Sequence, residues 1–445
     1  MSIDPVVNFG KVTVSTGYSS SATSIVLNSG NGAKLPASFP FNLIWWNATD
    51  YADPADDPGV EIVTVTAIAT DTLTVTRAQE GTSASSKNAS GKTYKMVQGP
   101  TAKTIADLGG LSGFRNKLRN SSLSQWYSGT SGTAPTTAGT SNWTAEGVYI
   151  LPTGASVAWS QIANPLTNPL SYWALKIAGA TSNTGFTARF VIGSLDAAPL
   201  AGQTCTFQLP TLNKVGASVT PTITVKYAGS QDVWSSPTTD SVANGANMQT
   251  VTNSGQQTLA FTWACNANAI YGMVIDIAFP AMTSSSNYIV IGGGFDCRAT
   301  AGVSTGANSS PPSPEIRNAS VDARWCKTFY QTSYPNGTAV GANIGMAGMV
   351  PGGASANLGS TWYGMGMGWE FPVEMWSSPT LSVFDALGNS GCFSFYWNNA
   401  EHDDTAYAGT FSISAKGVMY KMANADAGGV APMFHFAADA RIAGA

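Results

Sequence analysis

A chain of 445 residues is too long for a single hydrophobic core and implies two to four domains. Only 10% of its residues are charged, the net charge is −4 and no long run of one sign occurs, which argues against nucleic acid as a partner and against a polybasic membrane anchor. With 13 Trp, 15 Tyr and 18 Phe the chain has ample material for packed cores and is not a disordered polymer, while no apolar stretch approaches the roughly 18 residues of a membrane span, so no membrane insertion is expected.

Strand signals come first along the chain. Lys11-Val-Thr-Val-Ser15, Ser24-Ile-Val-Leu27, Glu61-Ile-Val-Thr-Val-Thr-Ala-Ile68 and Thr72-Leu-Thr-Val-Thr76 alternate β-branched residues with Thr or Ser at period two. They predict a small N-terminal β domain over residues 1–108, with an acidic loop, Asp50-Tyr-Ala-Asp-Pro-Ala-Asp-Asp-Pro58, between two strands. A short helical turn at 101–108 with Gly109-Gly110 as its stop marks the first boundary, and 109–113 reads as a linker. From 114 to 300, segments such as Phe186-Thr-Ala-Arg-Phe-Val-Ile192, Thr222-Ile-Thr-Val-Lys-Tyr227 and Met273-Val-Ile-Asp-Ile-Ala-Phe279 predict a jelly-roll sandwich.

The low-complexity run at 301–313 predicts a flexible joint, and Ser313-Pro-Glu-Ile316 reads as a helix start, with Ser as N-cap and Pro in the first turn. The remaining segment, 314–445, then reads as that one short helix plus a C-terminal β-sandwich, through strands such as Thr380-Leu-Ser-Val-Phe384, Cys392-Phe-Ser-Phe-Tyr396 and Met433-Phe-His-Phe436. The fold class is therefore all-β.

Residues that carry chemistry are sparse. Cys205, Cys265, Cys297, Cys326 and Cys392 are odd in number and show no C-x-x-C, so neither a zinc site nor a disulfide framework is implied. No phosphate loop or G-x-S-x-G occurs, and no catalytic residue, cofactor or metal is assigned. Glu401-His-Asp-Asp404 has the composition of an acid–base pair, but a solvated loop tip explains it as well. Aromatic rings stack on sugars while amides and acids bind hydroxyls, and Tyr396, Trp397, Asn398, Asn399, Glu401, His402, Asp403 and Asp404 combine these at one turn, making it the candidate recognition loop. It is open whether 401–404 meets glycan, a cation or only solvent. The neighbouring aromatics Trp362, Tyr363, Trp369 and Trp376 fit either core or contact surface. His435, between Phe434 and Phe436, is expected to be an exposed or hydrogen-bonded strand residue. The N-terminus has no basic segment leading into an apolar run, so a protein made and kept soluble in the cytoplasm is expected.

Three stretches resemble parts of the tail fibres and receptor-binding proteins of tailed bacteriophages. Leu43-Ile-Trp-Trp-Asn-Ala-Thr-Asp50 through Thr76-Arg-Ala-Gln-Glu-Gly-Thr82 resembles their N-terminal virion-attachment domain. Phe114-Arg-Asn-Lys-Leu-Arg-Asn-Ser-Ser-Leu-Ser-Gln125, with Pro314-Glu-Ile-Arg317 and Trp325-Cys-Lys-Thr-Phe-Tyr-Gln331, resembles the carbohydrate-binding-module-like jelly roll of phage fibres. Phe371-Pro-Val-Glu-Met375, Ser378-Pro-Thr-Leu-Ser-Val383 and Phe434-His-Phe-Ala-Ala-Asp-Ala-Arg-Ile442 look like their terminal β domain.

The resemblance implies an elongated homotrimer, made in the host cytoplasm and carried on the virion. It would be held to tail or baseplate proteins through the N-terminal domain, with Trp45, Trp46, Asp50, Asp53, Asp56 and Asp57 as attachment candidates. Its distal part would bind a host-surface glycan or protein without catalysis. Alternatives are a capsid decoration or head fibre, and a polysaccharide-degrading tailspike.

Overall fold

The computed structural model describes residues 5–109, 115–300, 302–351, 355–357, 362–364, 368–397, 400–404, 409–424 and 432–442. It is built almost wholly of antiparallel strands, as the alternating segments require. The first six strands form one sheet in the order Lys11–Thr13, Tyr94–Val97, Phe41–Asn47, Glu61–Ala69, Thr72–Gln79 and Ser24–Val26. Phe41, Leu43 and Trp45 face inward at period two and meet Val65, Val63 and Glu61 across the ladder. The position opposite Trp45 is thus a fully buried carboxylate. Arg77 answers it bidentately at 2.7 and 2.6 Å, and the Ala78 amide donates to it at 2.9 Å. Burial alone would push the Glu61 carboxyl up; the Arg77 pair and the Ala78 and Ser85 amides outweigh it and hold the group below its ordinary value.

The Thr76-Arg-Ala-Gln-Glu-Gly-Thr82 segment therefore closes the domain. Its Glu80 also accepts from Asn42 Nδ2 at 2.6 Å and from the Lys103 amide at 3.0 Å, which ties helix α1 (Ala102–Gly109) to the sheet.

The central domain is a two-sheet sandwich. One sheet runs Gly306–Ala307, Gln256–Ala264, Thr204–Lys214, Tyr288–Gly292, Trp173–Ala178, Val157–Ala163 and Ser131–Ala134, with Asp296–Ala299 also paired to Thr204–Lys214. The other runs Thr238–Asn247, Thr222–Tyr227, Met273–Pro280, Gly185–Ile192 and Tyr149–Thr153. Their inner faces bury one core that includes Trp126, Trp159, Phe190, Phe207, Trp263 and Ile275. A single-turn helix, α2 (Ser194–Ala197), leads out of the second sheet.

Two expectations change here. Residues 302–313 are docked on the sandwich rather than free: Gly306–Ala307 adds an edge strand, Pro311 and Pro312 are buried, and Gln208 Nε2 donates to the Pro312 carbonyl at 2.7 Å. The helix starts later than Ser313. Helix α3 spans Ala319–Lys327 and is capped by Asn318, whose Oδ1 accepts from the Ser320 amide at 3.0 Å. Glu315, the expected first-turn acid, is instead fully buried and accepts from the Arg115 amide at 2.7 Å.

The C-terminal domain has two sheets. Pro432–Asp439 pairs with Tyr330–Thr332, Val350–Pro351, Thr380–Phe384 and Phe393–Trp397, and the last of these pairs with Ala400–Asp404. The second sheet holds Ser355–Asn357, Trp362–Gly364, Gly417–Asn424, Gly368–Glu370 and Gly409–Ser414. Phe371, Phe393, Phe434 and Phe436 fill the space between.

Residues 115–125 bind this domain to the central one with buried polar groups. Asn116 bonds the Phe295 and Glu315 carbonyls and the Leu118 and Cys297 amides. Asn120 donates its amide to Asp322 on α3 at 2.9 Å. Arg119 pairs with the buried Glu146 at 2.9 Å, and Arg441, near the chain end, reaches the same carboxylate at 3.5 Å. Tyr127 of the central domain stacks on Tyr330 of the C-terminal one, 5.9 Å between ring centres.

Candidate functional site

At this junction lies a cleft of about 480 Å³. Four stretches line most of it. Gln125 and Tyr127 come from the polar linker, Ala323 and Lys327 from α3, Tyr330 to Tyr334 with Asn336 from the strand after it, and Gly348 to Val350 from the next wall. Trp369, Pro372 and Phe436 complete it. Such a volume falls in the range of small-molecule clefts.

Each wall is positioned by bonds behind it. Gln125 Oε1 accepts from Tyr127 Oη at 3.1 Å, Gln331 Nε2 donates to the Val373 carbonyl at 2.6 Å, and Asn336 accepts from the Trp126 amide at 2.7 Å. Trp369 stands edge-on to Phe436 at 4.2 Å and to Phe371 at 4.9 Å. Gly348 has φ +85°, and a Cβ there would lie 2.8 Å from the Ser333 carbonyl, so this wall needs glycine. Just behind the lining, buried His435 sits between Ser333 and Gly345. The Gly345 carbonyl can only accept, so Nε2 carries the proton at 2.8 Å, and Nδ1 accepts from Ser333 Oγ at 3.0 Å. His435 is thus hydrogen-bonded but not exposed, one of the two roles expected of it.

The tyrosines of the site are uncharged. Burial pushes the Tyr330 phenol up to about 12 and raises Tyr127 and Tyr334 as well, so these hydroxyls stay protonated and serve as hydrogen-bonding groups. Among the described residues Lys327 is the one charged residue on the lining, and no carboxylate is there.

The residues picked from sequence fall elsewhere. Glu401, His402, Asp403 and Asp404 lie in the strand Ala400–Asp404, not at a loop tip. They pair with Tyr396, Phe395, Ser394 and Phe393 as the second arm of a hairpin that also holds Trp397. Asn398 and Asn399 are outside the described residues. Of the candidate attachment residues, Trp45 and Trp46 are core rather than surface: Trp45 is fully buried under Arg77, and Trp46 is buried with its Nε1 on the Tyr51 carbonyl.

The acids at 50–57 largely serve their own loop. Asp57 is buried and accepts from the Asn47 and Gly59 amides, Asp53 caps the turn at Pro54–Asp56, and Lys92 holds Asp50 below the usual carboxylate range. Asp56 stays exposed. Among the described residues no group of three or more His, Cys, Asp or Glu is placed to hold a metal, and no helix is long and apolar enough to cross a membrane.

Sequence reasoning singled out only Trp369 of the cleft, because its lining comes from separated segments. Trp376, the other described candidate, stacks on Phe329 at 5.1 Å and packs against Gly193 of the central domain. For Trp362 and Tyr363 the structure describes only the strand Trp362–Gly364.

The fold and cleft together define an all-β protein of joined sandwiches with an aromatic-lined cleft between two of them. No described protein family matches the sequence, and no curated protein matches it. Solved structures give partial likenesses. The enzymatically active domain of bacteriophage CBA120 tailspike protein 4 is 10% identical with a TM-score of 0.27, covering 34% of this chain and 19% of that one. The C-terminal family 22 carbohydrate-binding module of Clostridium thermocellum Xyn10B is 17% identical with a TM-score of 0.23, covering 40% of this chain and 98% of the module. A carbohydrate-binding module of the β-sandwich superfamily is 10% identical with a TM-score of 0.27, covering 64% and 97%. The chain thus spans about a fifth of the tailspike chain, and at these scores the likenesses assign neither ligand nor activity.

Proposed function

We propose that this chain is a non-catalytic receptor-binding fibre protein of a tailed bacteriophage, carried as a homotrimer and attached to tail or baseplate by its N-terminal domain. Its central and C-terminal domains bind a host-surface glycan through the junction cleft. The observation that carries the reading is the lining itself: rings, amides, hydroxyls and one lysine, with no carboxylate among the described residues. Glycoside hydrolysis ordinarily uses two carboxylates flanking the bond, so this lining favours binding over cleavage. The recurring-domain resemblance of residues 43–82 supports the attachment end, and exposed Val6 and Phe9 are apolar groups that a docking partner would cover.

Immunogold labelling of intact particles with an antibody to the C-terminal domain tests the assignment. Gold at the tail tip or fibres is expected; gold on the head would make it a head fibre, and unlabelled particles would remove it from the virion. Light scattering of the purified chain is expected to give three copies. Incubation with host polysaccharide is expected to release no sugar, and release would revive the depolymerase alternative.

A further inference from the structure

We infer that the glycan taken by the cleft is anionic, carrying a carboxylate of the uronic-acid type that meets Lys327. This rests on the reading of the cleft as a glycan site and narrows its ligand class. Lys327 is exposed at the end of α3, on the lining, and has no ion pair or hydrogen bond among the described residues. Lys34 and Lys416 are likewise exposed with no acid partner among the described residues, so what singles out Lys327 is its place on the cleft lining. Arg324, one helical turn earlier, is likewise exposed and unpaired among the described residues.

Glu370 and Glu374 flank Trp369 and Pro372 in sequence, but neither is on the lining, so no acid among the described residues there neutralises the ammonium. A neutral sugar would use the rings and amides and leave Lys327 in water. A carboxylate bound beside it gains a charge-assisted hydrogen bond at a partly desolvated wall. A cation in the last turn also favours the helix dipole, so charge and stability must be read separately.

The test uses the full chain and a panel of purified bacterial capsular and O-antigen polysaccharides, each presented native and after chemical reduction of its carboxyls to alcohols. Affinity is measured for wild type, Lys327→Met and Lys327→Arg, with thermal unfolding of each as the fold control. The expected result is a native acidic polysaccharide whose affinity falls about five- to tenfold on carboxyl reduction, and equally in Lys327→Met, while Lys327→Arg retains most of it. Equal binding of native and reduced forms, a neutral polysaccharide as the ligand, or an unchanged Lys327→Met overturns the anionic inference and leaves the glycan reading standing. Retention of no polysaccharide by wild type removes both.

Discussion

Arg441 is the residue whose loss most directly tests how the two distal domains are held together. Its guanidinium is buried, pairs with Asp439 at 2.7 Å, reaches Glu146 of the central domain at 3.5 Å, and lies 4.1 Å from the Tyr330 ring centre and 4.9 Å from that of Trp143. Arg441→Ala removes one of the two guanidinium partners of the buried Glu146 and takes the guanidinium from the half-buried Asp439. Breaking a buried ion pair from one side costs about 3–5 kcal/mol. With a urea dependence of about 2 kcal/mol per molar for a domain of this size, the unfolding midpoint of the C-terminal domain should fall by roughly 1.5–2.5 M. Tryptophan fluorescence during urea titration reads this, because Trp143 and Trp376 sit at the junction. The N-terminal transition should not move, since its core is separate. A C-terminal midpoint within about 0.2 M of wild type would show that the latch contributes little and that Tyr127, Trp376 and the polar linker suffice.

Three further outcomes follow from the same geometry. Glu61 has a depressed carboxyl, so the stability it lends the N-terminal domain is present above its ordinary value of 4.5 and is lost as pH falls through the depressed one; Glu61→Gln should flatten that acid limb and lower stability at pH 7 by about 3–5 kcal/mol, read by urea titration at a series of pH values. Gly348→Ala should weaken glycan binding about tenfold or more and cost about 1–3 kcal/mol of stability, read as a lowered melting temperature, because the left-handed backbone resists a Cβ and the wall must shift away from the Ser333 carbonyl; unchanged affinity would place the ligand elsewhere. Asn120→Ala should destabilise the α3 junction by about 2–3 kcal/mol in urea titration, since it strips the Gln125 and Glu146 carbonyls of their donor.

Strands were legible where β-branched residues alternate without interruption. Thr222–Tyr227 and Thr380–Phe384 run as their patterns indicate, and Met273–Pro280 extends one residue past its pattern. Local signals failed where tertiary bonds overrode them. Ser313-Pro-Glu has the form of a helix start, but the Pro312 carbonyl and the Glu315 carboxylate are engaged by the sandwich, so the helix waits for Asn318. The Gly- and Ser-rich stretch at 302–313 has the composition of a joint, yet unpaired edges of the sandwich hold it.

The acid cluster at 401–404 has the composition of a loop because charge concentrates there, whereas pairing with Phe393–Trp397 draws it into a strand. The cleft was invisible for a different reason: Gln125, Lys327, Asn336, Gly348 and Trp369 meet only because the polar linker brings two domains together. The buried polar run at 115–125 was the available signal, since so many amides and bases beside Leu118 and Leu123 demand partners from another element.

The central claim is that the junction cleft holds a glycan, and filling it is the most direct test. Ala323 lines the cleft from α3, so Ala323→Trp places an indole in the ligand's space without deleting any core contact. Labelled wild-type and Ala323→Trp proteins, matched in melting temperature, are applied to an array of bacterial surface polysaccharides. The account predicts saturable binding of wild type to a restricted set and loss of that binding in Ala323→Trp; equal binding by both proteins, or none by wild type, would contradict it.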